Sequence, residues 1–129
     1  MNLLLLFSLT LGFKAEALAN TQLEVQILTP TQVYSEIQKR NVAVFDVNPE
    51  AIYKKGHVPK SKNISFSSIE NHLPKSKSAR LIFYCMNEMC SASHQAAETA
   101  IKAGYKNVAR MPAGIAGWLK QKLPTETIQ

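Results

Sequence analysis

The sequence has little of several residue types, and each shortage excludes a class of protein. Two cysteines in 129 residues are too few to cross-link a disulfide-rich miniprotein. Five glycines and six prolines exclude collagen-like and low-complexity chains. Hydrophobic residues make up 46% and charged residues 19%, which is the composition of a folded globular chain. The length is that of one domain.

Negative charge is scarce too, because 15 Lys and Arg stand against 9 Asp and Glu, for a net charge of +6. The lysines cluster at residues 54–55, 60–62 and 75–77, with no aromatic side chains interleaved among them. Such clusters are typical of a solvated surface and not of a nucleic-acid groove. We therefore expect no nucleic-acid partner.

No hydrophobic run is long enough to cross a membrane. The apolar run from Leu3 to Phe13 would extend only about 1.5 Å per residue, against a hydrocarbon core about 30 Å thick. Ala17-Leu18-Ala19 follows, and this pattern predicts a secretory signal over residues 1–19, cleaved after Ala19. The expected mature domain is 20–129, exported to the periplasm or secreted, with no stable membrane insertion. The alternative is a buried or partner-bound N-terminal helix.

The rest of the chain alternates between strand-like and helix-like patterns. Two continuous apolar runs, residues 42–45 and 81–84, suit strands covered on both faces. Further extended segments are expected at 25–28, 63–65 and 107–111. Helical segments are expected at 30–40, 50–55, 67–72, 91–103 and 115–122. Strands alternating with helices predict an α/β fold, with a parallel sheet flanked by helices on both faces.

Cys85 is the candidate nucleophile. It directly follows the second apolar run and precedes a helix expected to open near Ser91. Ligands of open parallel sheets bind where strands end and helices begin, and helix N-termini favour anions. A thiolate is such an anion, and the pKa of a cysteine in this setting falls from about 8.5 to about 3.5–7.5. The alternative is a small buried hydrophobic residue without chemistry.

Five short motifs, in order, resemble those of the rhodanese-like sulfurtransferase domain. The resemblance covers about residues 28–124. The motifs are Val44-Phe45-Asp46-Val47 with Tyr53, Gly56-His57-Val58-Pro59 with Asn63-Ile64, Ile82-Phe83-Tyr84-Cys85 with the loop to Ser91, Ala103-Gly104-Tyr105-Lys106-Asn107-Val108, and Gly114-Ile115-Ala116-Gly117-Trp118 with Pro124. The resemblance implies a five-stranded parallel sheet flanked by helices, and it places the catalytic cysteine at Cys85.

The resemblance also implies a mechanism. Cys85 takes a sulfane sulfur from thiosulfate, a thiosulfonate or a persulfide, becomes a persulfide, and passes the sulfur to cyanide or to a thiol, which can be protein-borne. No metal and no other cofactor is implied. The substrate-binding loop would be Met86, Asn87, Glu88, Met89, Cys90 and Ser91. Its backbone amides, pointing inward, would stabilise the anionic persulfide.

The loop departs from the family pattern at two positions. Glu88 stands where the usual loop has Gly, and Cys90 stands where it has Arg. The acidic side chain repels a dianionic donor by about 1 kcal/mol at partly exposed range. The lost Arg removes a contact worth about 1.5–3 kcal/mol. Both changes favour a neutral or thiol-borne sulfur over thiosulfate.

Cys90 has two interpretations. As a resolving thiol it would attack the Cys85 persulfide or sulfenate, giving a disulfide and releasing sulfide or water. In an oxidising compartment that disulfide would be the resting state. The simpler interpretation is a small residue at a crowded loop end, because inward-curving amides need not bring the two sulfurs into bonding geometry.

Other sites are excluded by spacing. A phosphatase loop needs Arg where Ser91 stands, a thioredoxin-type site needs two residues between its cysteines, and His57, His72 and His94 are too scattered for zinc. Two functions remain: a sulfurtransferase, or a catalytically weak rhodanese-fold module that binds a partner or senses redox state through Cys85 and Cys90.

Overall fold

A computed structural model describes Gly12 and residues 23–129. The predicted signal segment therefore lies, apart from Gly12, outside the described residues. The strands are β1 (Gln26–Ile27), β2 (Ala43–Asp46), β3 (Lys62–Asn63), β4 (Arg80–Tyr84) and β5 (Asn107–Met111). The helices are α1 (Pro30–Lys39), α2 (Glu50–Lys55), a 3₁₀ helix (Phe66–His72), α3 (Ala92–Lys102) and α4 (Gly114–Lys120).

The five strands form one parallel sheet in the order β1-β5-β4-β2-β3. In the central pairing, Asp46 of β2 lies beside Tyr84 of β4, and Tyr84 lies beside Met111 of β5. The chain leaves β2 toward one edge of the sheet and leaves β4 toward the other. The carboxyl ends of β2 and β4 therefore form the crevice where open α/β sheets bind ligands.

Apolar side chains alternate across the sheet into two cores. Phe45 and Phe83 stack with ring centroids 5.3 Å apart and pack against α3 and the 3₁₀ helix. Ala96, Ala97 and Ala100 let α3 approach the sheet closely, because each is fully buried and small. On the opposite face, Val44 and Ile82 pack with residues of α1 and α4. The predicted parallel sheet with helices on both faces is confirmed.

The start of α1 and the end of α4 each have a local explanation. Thr29 and Gln32 form a reciprocal capping box at the start of α1, with Pro30 in its first turn. The predicted end of α4 at residue 122 is wrong, because the helix stops at Lys120. Lys122 adopts a left-handed conformation with φ 54°. The turn brings the Pro124 carbonyl to the buried Trp118 Nε1, 2.8 Å away.

Two other elements differ from the sequence prediction. The third strand is Lys62–Asn63 rather than residues 63–65, because its partner β2 ends at Asp46, which pairs with Asn63. The buried Ile64 still bonds through its amide to Asp46 O at 3.0 Å. The helical turns at 66–72 form a 3₁₀ helix with non-helical backbone at Ser68. Ile69 alone is buried in this segment, so it carries too few apolar positions to fix a regular α-helix.

Candidate active site

Cys85 directly follows β4 at the central crevice, as the sequence predicts. Its side chain belongs to the core on the α3 face, the same buried cluster that contains Phe83, Val47 and Ile64. Only 5% of the residue is exposed. Burial of this kind suits an inert cysteine as well as a protected nucleophile, so the surrounding loop decides what Cys85 can do.

The two cysteines form a disulfide bond, Cys85–Cys90, with Cα atoms 6.2 Å apart. The sequence left open whether the loop brings the two sulfurs into bonding geometry, and this bond shows that it does. The physical reason is a tight turn built on Asn87, whose side-chain oxygen accepts from the Met89 amide at 3.0 Å. Its backbone oxygen accepts from the Cys90 amide at 3.1 Å. This turn carries Cys90 back over Cys85.

The same turn changes the expected role of the loop amides. The amides of Met89 and Cys90 are hydrogen-bonded within the loop, so they are not free to converge on the Cys85 sulfur. Met89 lies at the tip with 93% of its surface exposed, and Glu88 is exposed beside it. Of the six predicted loop residues, Met86 and Cys90 are partly buried and Asn87 to Met89 and Ser91 face solvent.

The first turn of α4 holds the start of the loop by backbone hydrogen bonds. The amide of Ile115 donates to the Cys85 carbonyl at 3.0 Å, and the amide of Ala116 donates to the Met86 carbonyl at 2.9 Å. Gly114 allows this approach, because a Cβ there would lie 2.5 Å from Met86 backbone atoms and 2.6 Å from the Cys85 oxygen. Its φ of 63° also favours glycine. Sequence reasoning missed this contact, although Gly114 was the signal for it.

A buried polar cluster lies at the carboxyl end of β2. Asp46 is fully buried, and its Oδ1 accepts from the Asn48 amide at 2.7 Å, so it orders the backbone that follows β2. Burial raises the pKa of the Asp46 carboxyl above its ordinary value. Burial and the nearby Asp46 charge also raise the pKa of the Tyr84 hydroxyl. That hydroxyl accepts from the Val58 amide at 3.1 Å and lies 3.2 Å from Ser61 Oγ.

This polar cluster lies on the face of the sheet opposite to the Cys85 side chain. Tyr84 and Cys85 are consecutive residues, so their side chains point to opposite faces of the sheet. His57, also buried, has Nδ1 2.8 Å from the Tyr53 carbonyl and stacks on the Tyr53 ring. It is therefore a hydrogen-bonded turn residue. His94 is exposed and lies 3.1 Å from Glu98.

Two cavities open near this edge of the sheet. One of about 640 Å³ lies over the ends of β2 and β3, with Asn48, Asn63 and Phe66 among its lining residues. The other, about 540 Å³, lies between the loop and α4, with Glu88, Met89 and Lys120 among its lining residues. Neither cavity is lined by Cys85 or Cys90. With the disulfide closed, a donor in either cavity does not reach the Cys85 sulfur.

Residues 23–129 and Gly12 hold no group of three or more His, Cys, Asp or Glu side chains placed to bind a metal ion. Over the same residues, no helix has the length and apolar character that a membrane crossing needs.

The fold is that of a known class of domain. A family model described as the rhodanese-like domain matches residues 29–121. The chain therefore belongs to the rhodanese-like domain family, the superfamily that includes sulfurtransferases.

Solved structures share this fold at low sequence identity. A rhodanese-related protein from Thermoplasma volcanium is 20% identical, with a TM-score of 0.65 over 78% of this chain and 97% of that one. The Alr3790 protein from Anabaena is 20% identical, with a TM-score of 0.70 over 78% and 80%. A thiosulfate sulfurtransferase from Pseudomonas aeruginosa is 16% identical, with a TM-score of 0.71 over 81% of this chain and 21% of that one.

A protein with a similar sequence is named as a transcriptional regulator. An HTH-type transcriptional regulator of Mycobacterium tuberculosis is 26% identical over 100 residues, which are 77% of this chain and 44% of the relative. The chain thus spans less than half the length of this relative, so the likeness concerns one part of that protein.

Proposed function

We propose that the protein is a sulfurtransferase in which reduced Cys85 accepts a sulfane sulfur. The observation that carries the proposal is the place of Cys85 at the end of β4, in the crevice between diverging connections, inside a rhodanese-like domain. The similarity in fold to a thiosulfate sulfurtransferase supports the reaction class.

The reaction begins with reduction, because the Cys85 sulfur is bonded to Cys90. A dithiol reductant opens this bond and leaves two thiols. The Cys85 thiolate then attacks the outer sulfur of a donor R–S–SH, forming Cys85–S–SH and expelling the thiolate RS⁻. A second thiolate attacks the outer sulfur of this persulfide, takes it as R′–S–SH, and returns the Cys85 thiolate. No electrons are gained or lost in the transfer.

The charge distribution around the loop favours a thiol-borne donor over thiosulfate. Residues 86–91 contain no cation, and Glu88 is exposed on the loop. The amides of Met89 and Cys90 are bonded within the loop, so fewer donors remain to stabilise a dianion. The N-terminus of α3, which begins at Ala92 directly after the loop, supplies the remaining favourable field for a single negative charge.

The test uses a Cys90→Ser protein, in which the disulfide cannot form. After reduction and removal of the reductant, it is incubated with glutathione persulfide or with thiosulfate, and its intact mass is measured. We expect a gain of one sulfur atom, faster with glutathione persulfide. The Cys85→Ser protein is the matched control and should gain none. If the mass does not increase with either donor, the proposal is wrong. If the Cys85→Ser control gains the sulfur, Cys85 is not the acceptor.

A second candidate function is a thiol redox or binding module with weak or no sulfur transfer. The Cys85–Cys90 disulfide and the shielding of Cys85 favour it, since a reversible bond needs no donor site. It predicts the opposite outcome in the same experiment: both variants keep their starting mass with either donor, while the wild-type pair still cycles between dithiol and disulfide.

A further inference from the structure

The turn on Asn87 holds Cys90 against Cys85 by hydrogen bonds that do not involve either sulfur. The Asn87 oxygens bind the amides of Met89 and Cys90, and Ser91 then leads directly into α3. The Cys85 carbonyl is fixed separately by α4. Because these backbone contacts do not involve sulfur, we expect them to persist after reduction and to keep the Cys90 thiol beside Cys85 in the dithiol form.

Access to the two sulfurs differs. Cys85 is 5% exposed, whereas Cys90 is partly buried and packs against the edge of the same core. The donor and any external acceptor must each pass the loop to reach Cys85, because neither neighbouring cavity of the disulfide form is lined by that residue. Cys90 needs no such encounter, and well-oriented groups in one molecule react far faster than the same groups in solution.

We propose that Cys90 resolves the Cys85 persulfide and releases sulfide, so that the protein acts as a dithiol-dependent persulfide reductase. This inference rests on the proposed sulfur uptake by Cys85 and states what happens to that sulfur next. The Cys90 thiolate attacks the inner sulfur of Cys85–S–SH, the bond between the two persulfide sulfurs breaks, and HS⁻ leaves. The sulfane sulfur is reduced to sulfide, and the two cysteines are oxidised to the disulfide seen in the structure.

The cycle closes by reduction of this disulfide with an external dithiol. Cys90 is the less buried of the two residues, so we expect the incoming thiolate to attack its sulfur and form a mixed disulfide, while Cys85 leaves as the thiolate. The second thiol of the reductant then displaces Cys90. The net reaction converts R–S–SH and a dithiol into R–SH, hydrogen sulfide and the oxidised reductant, with two electrons passing through the cysteine pair.

The experiment is a single turnover without reductant. Reduced wild-type protein, freed from the reducing agent, receives less than one equivalent of glutathione persulfide, and free sulfide and intact mass are followed together. We expect about one sulfide per donor consumed, and an equal fraction of protein lighter by two hydrogens. Cys90→Ser should instead retain the sulfur and release little sulfide, at least tenfold less. Asn71→Ala, an exposed change on the 3₁₀ helix, serves as the handling control.

The outcomes separate this inference from the proposed function. If wild type keeps the added sulfur as stably as Cys90→Ser does, sulfide release by Cys90 is wrong while sulfur uptake stands. If Cys90→Ser gains no sulfur and wild type releases no sulfide and forms no disulfide, both proposals fail. Cys90→Ala is measured in parallel, with circular dichroism on each variant, so that a misfolded Cys90→Ser protein does not decide the result.

Discussion

The backbone carbonyl of Cys85 is held by the backbone amide of Ile115, at 3.0 Å. This hydrogen bond joins the end of β4 to the first turn of α4, across the sheet edge where the proposed chemistry takes place. The loop that carries the cysteine is therefore positioned by a helix more than twenty residues away in the chain, and Gly114 is the residue that permits the contact.

Replacing Gly114 with Ala should destabilise the protein and displace the loop. The left-handed φ of 63° costs a side-chain-bearing residue about 1–2 kcal/mol. The clash with Cys85 and Met86 backbone atoms adds about 1–3 kcal/mol. Gly104→Ala is the matched control, since its φ is 96° but its nearest atom is a lysine side chain 4.0 Å away. Urea unfolding should show a larger loss for Gly114→Ala, and equal losses contradict the clash.

The ion pair between Arg80 and Glu36 should stabilise the sheet at neutral pH. Arg80 Nε and Nη2 donate to the two Glu36 carboxylate oxygens at 2.9 and 2.7 Å, and both side chains are largely buried. Hydrogen bonds to charged groups contribute about 1.5–3 kcal/mol, so Glu36→Gln should lower the free energy of unfolding by about that amount at pH 7. Glu50→Gln removes an exposed pair with Lys54 and should cost under about 1 kcal/mol.

The pH dependence of the Glu36 effect has a defined sign. The hydrogen bond from Arg80 holds the pKa of Glu36 below its ordinary value of 4.5. A lowered folded-state pKa means that the contribution is complete above the unfolded value and is lost as the pH falls through the folded one. The stability difference between wild type and Glu36→Gln should therefore shrink as the pH drops below 4.5. A difference that stays constant down to pH of about 2 contradicts this account.

Asp46 should show the opposite dependence. Burial raises the pKa of its carboxyl above the ordinary 3.8, so the folded protein binds the proton more tightly than the unfolded chain. The resulting stability is complete below 3.8 and is lost as the pH rises through the folded-state pKa. Asp46→Asn, which does not titrate, should gain stability relative to wild type across that rise. Parallel unfolding curves for the two proteins between pH of about 4 and 7 would show that Asp46 does not carry this effect.

Export is a separate prediction from residues outside the described part of the chain. The alanine pattern before Asn20 predicts cleavage after Ala19, so the protein recovered from an exporting host should begin at Asn20. The mass of the intact recovered protein checks this. Retention of Met1, or a start at another residue, rejects the predicted cleavage site.

The sequence predicted the fold well because its signals are local. The apolar runs that end at Asp46 and Cys85 marked the two central strands, and the Thr29-Pro30 cap marked α1. The disulfide was left open and the docking of α4 was missed, because both depend on where two distant backbone segments meet. Spacing alone does not show that Asn87 folds the loop back on itself, nor that Gly114 lies against the Cys85 carbonyl.

The most direct test of the central claim locates the transferred sulfur. Reduced Cys90→Ser protein is treated with glutathione persulfide, alkylated and digested with trypsin, which yields residues 81–102 as one peptide containing Cys85. We expect this peptide to carry the alkylated persulfide, heavier by one sulfur atom than the alkylated thiol, and fragmentation to assign the extra sulfur to Cys85. Recovery of only the alkylated thiol, with the donor exhausted elsewhere, contradicts this expectation.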